Sequence, residues 1–344
     1  MPGVVADPGW LDPVRRLAPL VGQSGIGVAV SGGADSLGLM LLVARWRALV
    51  PDALPVVVYS VDHGLRPEAA DEVAMVLREA HRLGLPARGL RWDGPKPASG
   101  LQAAARATRY RLLAAAMSAD GLSACVTAHH LRDQAETVLM RLAHGSGVEG
   151  LAGMAAWSEV EGCRLFRPLL DAEPDALRRL VRDAGLTPVD DPSNADTSYE
   201  RVRWRQVLPR LAELGLDAAR LGVFATRMAE LDALVEAALE TAWLRVVTGA
   251  ESGRHLRLDR RALLELPHPV GVRLLSRALV QVGGGSKPHA LGQVERLYAR
   301  IGAEPALKRT SLHACLIESN GFHVDILSEP GRQRAVEDVP EDYA

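Results

Sequence analysis

The sequence predicts an α/β protein in its first two-thirds, followed by a mainly helical C-terminal domain that ends in a small β-hairpin. Three observations carry this. Short apolar runs alternate with helical patterns from Ile26 to Leu142, the first of these runs ends in a glycine-rich turn, and the pattern changes after Leu170 to long helices closed by an Asn-Gly turn. Alternating strands and helices at this spacing imply right-handed crossovers and a Rossmann-like parallel sheet.

Ile26–Val30 reads as the first strand, ending in Ser31-Gly32-Gly33, and a helical pattern runs from Ser36 to Leu49. Pro55–Val61 is a second buried strand. The next helix starts near Pro67 and runs to Leu83, with Gly84 as its C-cap. Ala87–Trp92 is a weaker third strand, Gln102–Ala119 a helix, Leu122–Ala128 a fourth strand and Leu131–Leu142 a helix. Ligands of such sheets bind beyond the carboxyl ends of the strands, which singles out Ser31–Ser36, Asp62–Arg66 and Ala128–Asp133. Glu173–Ala184 reads as a helix, followed by the polar loop Asp190–Asp196 and the arginine-dense Arg201–Arg205. Asp217–Val247 is one long helix, with Leu221, Phe224, Met228, Leu231, Leu234, Val235 and Leu239 at helical spacing. Helices over Arg260–Leu266, Pro269–Val282 and Ala290–Ile301 come next. Strands over Thr310–Glu318 and Phe322–Leu327 are then joined at Ser319-Asn320-Gly321, a strong hairpin signal. The expected division is an N-terminal domain over residues 1–215, a C-terminal domain over 216–330 and a polar tail over 331–344.

Composition narrows the function. At 48% hydrophobic and 24% charged, the 344 residues describe a globular chain with no apolar run long enough to span a bilayer. The N-terminus has Asp7 and Asp12 and no basic segment of the kind that opens a signal peptide, so the expectation is a cytoplasmic protein without membrane contact. The three cysteines, Cys125, Cys163 and Cys315, form no C-x-x-C pair, which argues against zinc ribbons and thioredoxin-type sites. Lysine occurs at Lys96, Lys287 and Lys308 alone, against 37 arginines, and no G-x-x-x-x-G-K-[ST] phosphate loop exists; Gly283–Lys287 lacks the spacing. From Ser252 to His313 there are 11 Lys and Arg against 4 Asp and Glu, within a chain of net charge −2. A basic C-terminal segment on an acidic body suits a polyanionic partner, or is a solvated helical face.

Ser31-Gly32-Gly33-Ala34-Asp35-Ser36 is the motif that carries chemistry. Its glycines permit a tight turn whose backbone N–H groups point at one anion, and the following helix adds its positive end. Ser31 and Ser36 add hydroxyl donors. Asp35 belongs beside phosphates only if it holds a metal, and magnesium bridging carboxylate and phosphate resolves the conflict. Asp133 and Glu136, spaced i,i+3, share a helical face and are candidate acid–base groups, or simply acids at a helix N-terminus. His129 and Asp133 at i,i+4 lack a third ligand for a transition-metal site.

The string S-G-G-x-D-S resembles the pyrophosphate (PP) loop of the N-type ATP pyrophosphatases, which cleave ATP between the α and β phosphates. The further motifs Val61–Arg66, Ala105–Tyr110, Ala128–Thr137, Gly150–Met154, Arg167–Leu170 and Asp191–Arg205, in this order, resemble the tRNA(Ile)-lysidine synthetase family over about residues 20–212. That resemblance implies ATP and magnesium as cofactors, and as partners L-lysine and an isoleucine tRNA with a CAU anticodon. ATP would adenylate the 2-carbonyl oxygen of the wobble cytosine, and the lysine ε-amine would displace AMP to give lysidine. Ser31, Gly32, Gly33, Ala34, Asp35 and Ser36 would cradle the pyrophosphate end of ATP, with backbone at Val30 and Ser60–Asp62 flanking adenine. Asp35 and Asp133 would hold magnesium. Asp133 or Glu136 would meet the lysine ammonium, and His129 and Arg106 would act at the reacting nucleotide. Arg109, Arg201, Arg203 and Arg205 would contact the tRNA. The protein would be a compact version of the enzyme; the sequence leaves the oligomeric state open, with a homodimer as one assembly. Two positions depart from the family pattern: Arg132 stands where the first Asp of H-H-x-D-D is common, so only Asp133 is carried over, and Val202 stands where Asn is frequent. The rivals are a tRNA 2-thiolating enzyme, an amidotransferase-linked relative such as GMP synthetase, and a non-catalytic RNA-binding protein on the same fold.

Overall fold

The computed structural model describes residues 11–50, 52–97, 99–190, 196–251, 254–284 and 291–329. Part of the expected polar loop (191–195), Gly285–Lys287 and the tail 331–344 lie outside the described residues. The chain forms two compact units. The described residues up to Ala143 and Gly153–Ala225 make the first, and His144–Ala152 with the described residues from Thr226 onward make the second.

The first unit is built on a six-stranded sheet: β1 (Ile26–Ala29), β2 (Val56–Asp62), β3 (Ala87–Arg91), β4 (Ala124–Val126), β5 (Trp157–Val160) and β6 (Cys163–Phe166), in the order β3-β2-β1-β4-β6-β5. The neighbours pair in parallel except β5, which runs antiparallel to β6. The strands expected at Ile26, Pro55, Ala87 and Leu122 are all present. Their order reverses between β1 and β4, the place where parallel sheets open a crevice. The β5–β6 hairpin was not expected from the sequence. It turns on Glu161 and Gly162, both at positive φ (51° and 73°), a two-residue turn whose twist matches that of its strands.

Helices α1 (Pro13–Leu17), α2 (Ala34–Leu49), α3 (Ala69–Arg82) and α7 (Pro174–Asp183) contribute to a core with β1 and β2, including Leu17, Leu39, Val76 and Leu177. A second core joins α4 (Leu101–Ala119) to the sheet through Tyr110, Leu113 and Met117. Helix α5 (Leu131–Ala143) packs on α8 (Glu200–Glu213) and the start of α9 (Ala218–Val246) through Val138, Leu139, Leu208, Leu221 and Ala225. The arginine-dense segment is therefore helical, and Val202 is buried at its start.

The second unit contains α6 (Val148–Leu151), the end of α9, α10 (Arg260–Leu264), α11 (His268–Gly283) and α12 (Leu291–Ala303). Its five-stranded antiparallel sheet comprises β7 (Val247–Glu251), β8 (His255–Asp259), β9 (Leu307–Leu312), β10 (Cys315–Ser319) and β11 (His323–Ser328), in the order β7-β8-β11-β10-β9. The sheet is larger than the expected hairpin. The run expected as one strand, Thr310–Glu318, is two strands that reverse at His313 and Ala314, both at positive φ. The long helix ends at Val246, where Val246-Val247-Thr248 gives a β-branched run suited to a strand. Among the described residues no helix is long and apolar enough to cross a membrane.

Candidate active site

The glycine-rich turn follows β1, at the edge where the strand order reverses. Gly32 has φ +89°, and a Cβ there would sit 3.1 Å from Val189 Cγ2 and 3.2 Å from Met75 Cε, so both backbone and space require glycine. The Gly32 carbonyl accepts from Val189 N at 2.9 Å. Gly33 caps α2 with no side chain, so the first-turn N–H groups meet no side-chain acceptor. An anion placed there would satisfy them.

The two serines of the loop divide their work. Ser36 is buried; its Oγ donates to Gly33 O at 2.9 Å and accepts from Ser31 N at 3.2 Å. Ser36 therefore shapes the loop from inside. Ser31 is exposed, and its hydroxyl lies 3.3 Å from Ser36 Oγ.

Asp35 and Asp133, nominated separately, meet through a residue that was not nominated. His130 precedes α5 and is 5% exposed. Its Nε2 lies 3.3 Å from Asp35 Oδ2, and its Nδ1 3.3 Å from Asp133 Oδ2. Asp133 Oδ2 also accepts from His130 N at 3.0 Å, and Asp133 N lies 3.3 Å from His130 Nδ1. This is the reciprocal arrangement of a capping box, with histidine as the cap and aspartate three residues on. In the neutral ring Nδ1 takes the Asp133 N–H and Nε2–H faces Asp35; in the protonated ring Nδ1–H turns to the Asp133 carboxylate. Burial opposes ionisation of Asp35, but the hydrogen bond and charge of His130, with Arg178 and Arg205 beyond, hold its carboxyl below the ordinary range. Burial likewise disfavours a charged His130, and Asp35, Asp133 and Glu136 outweigh it to raise its pKa.

Asp35 Oδ1 is buried without a hydrogen-bond partner. A hard cation suits such an oxygen. Among the described residues no group of three or more His, Cys, Asp and Glu could hold a metal by itself, so magnesium here would draw its other ligands from phosphate and water.

Glu136 faces a different set of partners. It is fully buried, and Arg205 grips it with two bonds, Nε to Oε1 at 2.8 Å and Nη2 to Oε2 at 3.2 Å. Arg201 Nε lies 3.5 Å from Oε2, and Arg201 Nη2 donates to Thr137 Oγ1 at 3.0 Å. A carboxylate held in this way is an anchor between α5 and α8, not a free base for lysine. Arg201 and Arg205 pair with Glu136 while 30% and 36% of their side chains stay exposed. Arg203 turns to the carbonyls of Thr197 and Ser198, at 3.0 and 2.8 Å.

His129, next to His130, is half-buried. Its Nδ1 is 2.8 Å from Thr127 Oγ1. Burial pushes its pKa down; Asp133 opposes, and Arg167, Arg106 and Arg201 add to the depression, leaving it at about 3. The ring is thus a neutral imidazole at neutral pH. Arg106 and Arg109 both lie over the Tyr110 ring, 5.2 and 5.0 Å from its centroid. Arg167, quoted in a motif but given no role from sequence, directly follows β6 and is 5% exposed. Its Nη1 donates to Ala155 O and Ser158 Oγ, each at 2.8 Å, and its Nε is buried without a partner. Val30, expected near adenine, donates its N–H to Tyr59 O at 2.9 Å. Asp62 is buried and accepts from Gly64 N at 2.7 Å.

Sequence reasoning missed His130 and Arg167. A signal for His130 existed, since a polar residue just before a helix with an acid three residues later is a cap signature. Arg167 had none, because its burial depends on the unexpected β5–β6 hairpin.

Comparison with known proteins agrees with this geometry. Residues 12–211 match the PP-loop domain family. The tRNA(Ile)-lysidine synthase of Methylobacterium nodulans is 44% identical over 328 residues, 93% of this chain and 95% of that protein. That of Rhodopseudomonas palustris is 43% identical over 332 residues, 94% of this chain and 95% of its own length. That of a Bradyrhizobium strain is 43% identical over 294 residues, 83% and 82% of the two chains. Among solved structures, the U34-tRNA thiolase NcsA from Methanococcus maripaludis, described with its [4Fe-4S] cluster, shares the fold. Its TM-score is 0.54 at 16% identity, covering 63% of this chain and 78% of that one. With a family match over more than half its length and relatives this similar from end to end, the chain belongs to the tRNA(Ile)-lysidine synthase family of PP-loop, ATP-binding proteins.

Proposed function

We propose that this protein is a ligase that joins L-lysine to the wobble cytidine of the CAU-anticodon tRNA(Ile), at the expense of ATP, in the cytoplasm. The observation that carries the reading is the joining of the glycine-rich loop to the α5 capping box through Asp35–His130–Asp133, in a chain similar over most of its length to proteins of that name.

The chemistry asks little of the side chains as covalent participants. The cytosine 2-carbonyl oxygen attacks the α-phosphate and releases pyrophosphate. The lysine ε-amine then attacks C2, a C–N bond forms, the C–O bond to AMP breaks, and the amine gives up a proton. The protein's task is to hold the anions and stabilise the charge that builds on them. The N–H groups of Ser31–Ser36 and the start of α2 bind the pyrophosphate end. Asp35, fixed through Oδ2 by His130, has Oδ1 without a partner and would be the residue to hold magnesium, whose charge would offset that growing on the phosphates. Asp133, held at the start of α5 by His130 through Oδ2, is the carboxylate assigned to orient the amine or take its proton. His129, being neutral, can pack against the extruded base without repelling the arginines around it. The base must leave its stack to reach the crevice. Residues 1–215 carry the catalytic chemistry and residues 216–330 form the tRNA-binding domain.

The 2-thiolating alternative finds no support in the cysteines, since all three are buried. The test is a reaction with ATP, lysine and tRNA transcripts, with nucleosides read by mass spectrometry and nucleotides by chromatography. Lysidine and AMP appearing with the CAU transcript, and neither with a CAU→GAU transcript, is the expected outcome. ADP as the product, or AMP formed equally fast without tRNA, would end the proposal.

A further inference from the structure

We propose that Arg167, together with Arg106, forms the subsite for the α-carboxylate of free L-lysine and so lets the enzyme choose lysine over amines that lack that group. The inference rests on the ligase reading above and assigns residues to one of its substrates.

Arg167 is 5% exposed, and its recorded partners, Ala155 O and Ser158 Oγ, are neutral. Its Nε is enclosed by protein with nothing to donate to. Arg106 is half-buried and rests against the face of Tyr110. Among the described residues neither has an ion pair. A buried guanidinium without an anion is costly, because its lost hydration is not replaced. Chains retain such a charge where a ligand supplies the missing anion.

Position identifies the anion. The β4–β6 pairing of Val126 with Phe166 puts Arg167 beside Thr127, and both lie at the carboxyl ends of their strands, next to His129. The charges that act on Asp35 in the glycine-rich loop are those of His130, Arg178 and Arg205. Arg178 and Arg205 are already paired with Asp175 and Glu136, whereas Arg106 and Arg167 have no carboxylate partner among the described residues and are left for an anion. A phosphodiester of folded RNA is too bulky to reach a guanidinium this enclosed; a free amino acid's carboxylate is not. Arg106, Arg167 and Asp133 all lie near enough to His129 for their charges to act on it, and together they offer a cation for the carboxylate and an anion for an ammonium, which is what a zwitterion with a second amine requires.

The experiment compares L-lysine with cadaverine, which has the same two amines and no carboxylate, as acceptors for the CAU transcript. The measured quantity is the ratio of their kcat/KM values. In the wild type the ratio strongly favours lysine. In Arg167→Gln it should fall by about 30-fold or more, the loss expected when a buried charged pair is truncated, with lysine KM carrying the change. Arg106→Gln, which removes no recorded hydrogen bond, should lower the ratio in the same direction and keeps the test decisive if Arg167→Gln does not fold. An unchanged ratio in both variants, or an ATP KM that rises as much as the lysine KM, would overturn the assignment, the latter by giving these arginines to phosphate. A wild-type enzyme that forms no lysidine would instead overturn the ligase reading, and the subsite with it.

Discussion

Two sets of charged residues, around the glycine-rich loop and around the end of β6, handle charge in opposite ways. On the side of the glycine-rich loop every acid has a partner: Asp35 and Asp133 meet at His130, and Glu136 is enclosed by Arg205 and Arg201. On the side of β6, Arg167 and Arg106 carry charge with no recorded acid, around a histidine forced neutral. The first set is held in place by its own partners, with Asp35 Oδ1 left over for a cation, and the second has no such partners. Partnered groups set geometry before any ligand arrives, whereas unpartnered charge becomes stable only when a ligand completes it.

Substitutions should separate the two. The largest effect is expected at Asp35. Asp35→Ala should lower lysine-dependent AMP formation by about 100-fold or more, because it removes a carboxylate beside the transferred phosphate. Filter binding should show tRNA affinity retained; loss of tRNA binding as well would make Asp35 a structural residue. Next comes Glu136. Glu136→Gln leaves two arginines around a buried neutral amide, and chemical denaturation should show about 2–3 kcal/mol less stability. Replacing Glu136 and Arg205 together by leucine should cost less than the single change, and an equal or greater cost would mean the pair is not the anchor described. His130→Ala should be smaller again, about 1 kcal/mol for the lost cap. Its distinguishing mark is a higher magnesium concentration for half-maximal ATP binding, measured by fluorescence titration; an unchanged requirement would separate His130 from the metal.

The smallest effect, a control, lies in the second unit. Asp325 accepts from His255 and Arg257, each at 2.8 Å. Burial works against its ionisation, and those two partners prevail to lower its pKa. A lowered carboxyl pKa contributes stability above its unfolded value of about 3.9, and that contribution is lost as pH falls through the folded value. Hydrogen-exchange protection factors of β8 and β11, taken relative to the intrinsic rate at each pH, should therefore fall on acidification below about pH 4. Asp325→Asn should lose ~1 kcal/mol or less at neutral pH, remove that acid sensitivity and leave AMP formation unchanged.

The same contrast explains what could be read from sequence. The glycine-rich loop is local chemistry: six consecutive residues after a strand fix its backbone and its ligand class. The four parallel strands and most helices were legible for a similar reason, because period and punctuation lie within one segment. The partners of those residues were not. Arg205 is 69 positions from Glu136, and only the packing of α8 on α5 brings them together. Spacing on a helix correctly placed Asp133 and Glu136 near one another, but could not show that one faces a histidine and the other two arginines. His255–Asp259 alternates polar and apolar residues, yet its strand was hidden next to a long helical pattern.

The most direct test follows one oxygen atom. If the cytosine 2-carbonyl attacks the α-phosphate and lysine then displaces AMP, a tRNA carrying oxygen-18 at that carbonyl should yield AMP containing the label, one atom per lysidine formed. Unlabelled AMP accompanying lysidine would contradict activation of the base by ATP.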